Sequence, residues 1–287
     1  MFLSRENIQI IWKKARKSIL NRRDVFMIGI FDSGFWGLQT MKYFKEQYPE
    51  YDYLYLADTI NCPYGNKSGD DIKKLTYQWL HRLFDHGADI VILACNTAAA
   101  YSIRAWQQEF PEKKVLSITI PGIEKVLEEE RHKNTIWILA TQATILSDIY
   151  TDVFLKLWWE SPSFQWVMAS DLVDLIESWV EDDVYIQKKV NEYLAKFDHI
   201  NHLILWCTHF PVLMKYFSQG FDGEIIDPSL ESAKKFGKYL EKHTNIKEKL
   251  TTGGHIDYLT TGTIENFNTI GAHIRGSPIQ AKHIKIT

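Results

Sequence analysis

Met27-Ile28-Gly29-Ile30-Phe31-Asp32-Ser33-Gly34 is where the chain begins to read as a fold. A short apolar run ends in a polar, glycine-containing turn, and apolar positions then recur at Leu38, Met41 and Phe44. The run reads as a buried strand and the three-residue spacing as a helix. The unit returns along the chain. Tyr53 to Ala57 leads into a polar loop and a helix from Asp71 to Gly87, and Asp89 to Ala94 leads into Cys95-Asn96-Thr97. Val115 to Ile120 reads as a strand before Pro121, Thr135 to Ala140 precedes Thr141, and His202 to Trp206 precedes Cys207-Thr208-His209. Strands alternating with helices predict parallel sheets covered on both faces, an α/β fold. Ligands of such sheets gather outside the C-terminal strand ends, where nearly every polar cluster here falls.

The bulk properties set bounds. With 287 residues there is length for two domains, and 45% apolar with 24% charged residues is ordinary for a globular protein. A net charge of −3 gives no general pull toward nucleic acid. No apolar run reaches the length of a membrane span. The three cysteines, Cys62, Cys95 and Cys207, are too widely spaced for a zinc motif or a disulfide framework, which fits free thiols in a reducing cytoplasm. No glycine-rich phosphate motif follows any strand, so a nucleotide is not indicated. Residues 1–26 hold seven Lys/Arg and two acids, a basic N-terminal extension that reads as an amphipathic helix or a loose arm.

Two units are near copies. Ile92-Leu93-Ala94-Cys95-Asn96-Thr97 and Ile204-Leu205-Trp206-Cys207-Thr208-His209 each set a cysteine just past a strand, followed by small hydrogen-bonding residues. A lone cysteine is usually a small buried hydrophobe. Two at equivalent strand ends of a duplicated domain would face each other across one cleft. Inverting a carbon acid needs a base on one face and an acid on the other, and two like groups can exchange those roles.

Here the residues resemble a known family. Ile30-Phe31-Asp32-Ser33-Gly34, Ala57-Asp58-Thr59, Pro63-Tyr64-Gly65-Asn66-Lys67-Ser68, Ala94 to Ala98, Ala140 to Thr144, Asp171 to Glu177 and Cys207-Thr208-His209-Phe210-Pro211 stand in the order found in the glutamate racemases. The resemblance runs from Ile28 almost to the C-terminus. It implies two similar α/β domains with pseudo-twofold symmetry and a cleft between them, the first comprising 27–119 plus 228–287 and the second 120–227. It implies cofactor-independent, metal-free racemisation of L-glutamate to D-glutamate in the cytoplasm, supplying peptidoglycan synthesis for the cell wall and cell shape. Cys207 would serve the L-enantiomer and Cys95 the D-enantiomer, with Asp32 beside Cys95, His209 beside Cys207 and Glu177 on His209. Ser33, Pro63, Tyr64, Gly65, Asn96, Thr97, Thr141, Thr144 and Thr208 would bind substrate. A homodimer is compatible with the resemblance. So is activation by an anionic cell-wall precursor, which Arg5, Lys13, Lys14, Arg16 and Lys17 could meet. An aspartate racemase, or a silent amino-acid-binding paralogue, is the alternative; Thr208-His209 lacks the acidic residue expected of the former.

The chain departs from the family in its aromatics. Ten tryptophans stand beside 15 glycines. Trp36, Trp137, Trp179 and Trp206 fall where the family carries glycine, and Trp158, Trp159 and Trp166 are further cases, whereas Trp12, Trp79 and Trp106 read as ordinary helix residues. Glycine at a turn supplies positive φ or close backbone approach, which a large side chain cannot. One codon read as glycine in the source organism, and as tryptophan in this sequence, accounts for the pattern; UGA is the expected one.

Overall fold

A computed structural model describes residues 25–129, 135–147, 163–197 and 201–285. The basic extension up to residue 24, and with it Trp12, lies outside the described residues, as do Trp158 and Trp159.

Among the described residues, ten strands form two sheets. They are β1 (Met27–Asp32), β2 (Tyr53–Ala57), β3 (Ala88–Leu93), β4 (Lys114–Ser117), β5 (Thr135–Ala140), β6 (Ser163–Met168), β7 (His202–Trp206), β8 (Glu224–Ile226), β9 (Ile256–Thr260) and β10 (Ala281–His283). One sheet has the order β10-β9-β2-β1-β3-β4 and the other β6-β5-β7-β8. Every pairing between these named strands is parallel. The run β2-β1-β3-β4 and the run β6-β5-β7-β8 follow one plan, with β9 and β10 added at one edge of the first. In each plan the chain moves to one side of its opening strand and then to the other. Each sheet therefore has a switch point, between β1 and β3 and between β5 and β7, where a crevice opens at the strand ends.

Burial explains the apolar runs. β1 is buried along its whole length. Its alternate residues serve two cores, Ile28 and Ile30 on one face and Met27 and Phe31 on the other. A strand covered on both faces cannot afford the polar alternation of a half-exposed one. Strands β2, β5 and β7 lie where the sequence places them. Several boundaries shift by one to three residues, two of them for a visible reason. The strand expected to reach Ile120 stops at Ser117, because Ser117 Oγ accepts from Thr119 N at 3.0 Å and starts the helix Thr119–Glu129. Pro121 then sits in the first helical turn, where a missing N–H costs nothing. The helix expected at Asp71 begins at Gly69, capped by Ser68, whose Oγ accepts from Asp71 N. No helix among the described residues is long and apolar enough to cross a membrane.

One tryptophan carries a clear backbone signature. Trp79 and Trp106 are fully buried helix residues, and Trp106 donates from Nε1 to the Lys113 carbonyl at 3.3 Å. Trp137 is buried in β5 with its indole N–H unbonded among the described residues. Trp206 stacks on Trp166 at 5.4 Å. Trp179 is the only described non-glycine residue with positive φ, at 53°. Trp36 has φ −75°, open to any residue, so position 36 shows no such strain.

Candidate active site

The two switch points face one another. From the first sheet, β1 delivers Asp32 and Ser33, and β3 delivers Cys95. From the second, β5 delivers Thr141 and β7 delivers Cys207, Thr208 and His209. One cavity of about 20 Å³ touches Ser33, Cys95, Thr141, Cys207, Thr208 and His209 together. Its walls also include Pro63, Tyr64, Gly65, Asn96 and Thr97. The space suits roughly one water, so the two halves stand closed upon each other.

Cys95 is the N-cap of the helix Asn96–Glu109, and its Sγ accepts from Ala98 N at 3.4 Å. Ser33 Oγ lies 3.4 Å away. A helix N-terminus alone lowers a thiol pKa. Here burial wins: desolvation, followed by the charge of Asp32, pushes Cys95 up to about 12 despite its hydrogen bonds to Ser33 and Ala98. At neutral pH this group is a thiol, a proton donor.

Asp32 is fully buried. Desolvation raises its pKa to about 6, against the lowering effects of the Gly34 amide, His209 and Thr208. Its Oδ1 accepts from Gly34 N at 2.8 Å, and its Oδ2 accepts from Thr208 Oγ1 at 3.2 Å. The second bond crosses from one sheet's strand end to the other's.

Around Cys207 the neighbours differ. Its Sγ lies 3.4 Å from His209 Nδ1, and His209 Nε2 lies 2.8 Å from Glu177 Oε1. Burial depresses the imidazole pKa, but the charge and hydrogen bond of Cys207, with further bonds to Cys62 and Glu177, outweigh it and hold it well above its ordinary value. Burial likewise raises Glu177, but the hydrogen bond and charge of His209 win and leave it below its usual value. A protonated imidazole donates from both nitrogens, to the thiol sulfur and to the carboxylate. One wall thus holds a thiol and the other a sulfur paired with an imidazolium.

Three hydroxyls close a second bridge. Thr97 Oγ1 lies 3.1 Å from Thr141 Oγ1 and 3.0 Å from Thr144 Oγ1, and Thr141 donates to Thr144 at 2.9 Å. Thr144 is buried behind Thr141, away from the cavity wall. Asp32 and Glu177 also stand behind the wall, each one contact from a residue on it. Sequence reasoning missed Asn66, Ser170 and Val173, which line the cavity. It also missed Asp58, whose Oδ2 accepts from Tyr64 OH at 2.7 Å and pins the turn Tyr64–Asn66. Asp58 lay in a matching motif, but nothing in its sequence neighbourhood singles out a carboxylate that acts through a tyrosine six residues on.

A family model described as Asp/Glu/hydantoin racemase matches residues 42–235. The chain belongs to that family. Within its racemases, a glutamate racemase of Aquifex aeolicus is 31% identical over 257 residues, 89% of this chain and 96% of its own. Glutamate racemase 1 of Caldanaerobacter subterraneus is 32% identical, over 90% of this chain and 94% of its own. Among solved structures, a glutamate racemase isoform of Bacillus anthracis superposes with a TM-score of 0.83 at 26% identity, covering 92% of this chain and 98% of its own. The racemase of Francisella tularensis, solved in complex with D-glutamate, gives 0.81 at 27% identity, covering 92% and 99%. The two-sheet α/β architecture expected of a racemase is the one found.

Proposed function

We propose that the chain interconverts L- and D-glutamate without a cofactor, using Cys207 and Cys95 as opposed acid and base. The observation that carries the reading is one cavity walled by two thiols, one beside a buried carboxylate and the other beside a carboxylate-bound imidazole. Starting from L-glutamate, the Cys207 thiolate takes the α-proton, leaving a carbanion-like centre. The Cys95 thiol returns a proton to the opposite face. The products are D-glutamate, a thiol at 207 and a thiolate at 95, the starting state of the reverse reaction.

An amino-acid Cα–H is a very weak acid, so charge developing on the α-carboxylate must be stabilised. Donors from Ser33, Asn96, Thr97, Thr141 and Thr208, with backbone N–H groups, are placed to supply an oxyanion-type environment. Pro63, Tyr64 and Gly65 close the substrate's side, and Thr144 orients Thr141. The cavity is far too small for glutamate, so substrate access requires the halves to part. Reclosing on substrate excludes water and strengthens every polar contact. On this reading the halves are residues 27–119 with 228–287, and residues 120–227. The product suits peptidoglycan synthesis in the cytoplasm, and a homodimer is compatible with it.

The Asp32 pKa gives a pH test. Raised to about 6, Asp32 is a carboxylate above that pH and protonated below it. If the Asp32 carboxylate takes the Cys95 proton and so makes Cys95 the base toward D-glutamate, kcat/KM for D-glutamate falls as pH drops through about 6. That limb is absent from the Asp32→Asn profile, since kcat/KM reports groups of the free enzyme. An unchanged limb in Asp32→Asn removes Asp32 from the step.

The proposed activator is tested separately. A chain beginning at Met27 should keep its basal rate. If an anionic cell-wall precursor stimulates the full chain and the shortened one equally, the basic extension is not its receptor.

A further inference from the structure

Cys62 has no part in the proton transfers above, yet it faces the residues that orient the second thiol. Cys62 Sγ, one nitrogen of His209 and one oxygen of Glu177 lie within 4.8 Å of one another, the only such group among the described residues. We propose that these three side chains form a binding site for one thiophilic divalent cation of the zinc class, and that its occupancy inhibits the enzyme reversibly.

The donor set argues for this cation. Thiolate, imidazole and carboxylate are zinc's own ligands, whereas magnesium and calcium prefer oxygen alone. Ligand distances of about 2.0–2.3 Å place tetrahedral donors roughly 3.5 Å apart. The three atoms must therefore draw together by about an ångström, within the reach of small side-chain rotations. The surroundings leave that freedom. Both hydrogen bonds to Glu177, from Trp36 Nε1 at 3.0 Å and from His209, fall on Oε1, so Oε2 is the oxygen to coordinate. Gly34 gives the sulfur its room, since a Cβ there would come within 2.7 Å of Cys62 Sγ. Three protein ligands leave a fourth position for water, and binding displaces two protons to solvent, the thiol proton of Cys62 and the proton on whichever His209 nitrogen the cation takes.

The consequence for the reaction follows from the imidazole. Both His209 nitrogens are engaged, one with Cys207 and one with Glu177. A cation that takes either nitrogen breaks one of those bonds, so the imidazole can no longer bridge the carboxylate and the sulfur. Turnover stops through His209 alone, the other residues of the cavity wall being left in place.

Cobalt(II) is the probe, because a thiolate ligand gives it an intense charge-transfer absorption. The full-length protein should show this band at one equivalent and lose it on adding zinc. Zinc should inhibit racemisation reversibly to a chelator. Cys62→Ala should keep near-normal basal activity, lose the band and resist zinc. Outer-shell changes already cost 10–100-fold in metal affinity, so losing a ligand should shift the inhibitory concentration by at least tenfold. Cys62→Ser should behave the same way. Cys207→Ser, inactive on the mechanism above, should retain the cobalt band, so the site can be judged even if the racemase reading fails. A band or a zinc response unaltered in Cys62→Ala overturns the proposal, as does a band lost only with Cys207.

Discussion

Replacing Cys95 or Cys207 singly by serine should lower racemisation of glutamate by about 10²–10⁴-fold, the range spanned by a positioned acid or base. A hydroxyl is too weak an acid and too strong a base in its ionised form to take either role at neutral pH. The shape of the loss is more telling than its size. Cys207→Ser retains only the group facing the D-enantiomer, and Cys95→Ser only the group facing the L-enantiomer. Deuterium exchange from solvent should therefore become strongly unequal between the two substrates, with opposite bias in the two variants. The structure supports unequal starting roles. Cys95 is held as a thiol by burial and by Asp32, while Cys207 lies against His209. Either variant racemising glutamate near the wild-type rate would remove that residue from the mechanism.

The second large effect is expected from the tryptophans. Trp179 occupies the left-handed region at φ 53°, which costs a non-glycine residue about 1–3 kcal/mol. Its neighbours compound the problem, because Trp36 packs on Trp179 at 5.6 Å and on His209 at 5.9 Å. Trp36 also donates to Glu177, the carboxylate that should answer to His209 alone. Several such costs rival a whole protein's stability of roughly 5–15 kcal/mol. We expect a chain carrying glycine at 36, 137, 179 and 206 to express well and racemise glutamate, and the tryptophan version to express poorly or be inactive. The opposite expectation is equally sharp. If the tryptophans are native, as in a silent paralogue, deleting buried indoles at 137 and 206 costs about 3–5 kcal/mol each, and the glycine chain does not fold. The gene adds an independent reading. UGA codons at 36, 137, 179 and 206 with UGG at 12, 79 and 106 support recoding; UGG at all seven sinks it.

The architecture was legible because a parallel strand buried on both faces must be a continuous apolar run, and β1, β2, β5 and β7 are such runs. The short strands β8 and β10, and β6 with its mixed Ser163-Phe164-Gln165-Trp166, carry no such signature, and their pairing depends on partners far away in sequence. The thiol pair was legible for a related reason: one topological plan used twice puts the same sequence signature at both switch points. What could not be read was contact at a distance. The bond from Thr208 to Asp32 joins residues 176 positions apart, and Asp58 reaches the cavity only through Tyr64. Likewise, no local pattern tells that Cys62 turns toward Glu177 and His209.

The central claim, two-base racemisation of glutamate, is tested most directly in deuterium oxide. The protein, free of any added cofactor, is incubated with L-glutamate, and with L-aspartate in parallel. Isotope at the α-carbon and optical rotation are followed together. Glutamate should gain α-deuterium with progressive loss of optical activity toward the racemate, and aspartate should show little of either. Glutamate recovered without α-deuterium and with its rotation unchanged, from protein shown to be folded, contradicts the claim; so does faster inversion of aspartate.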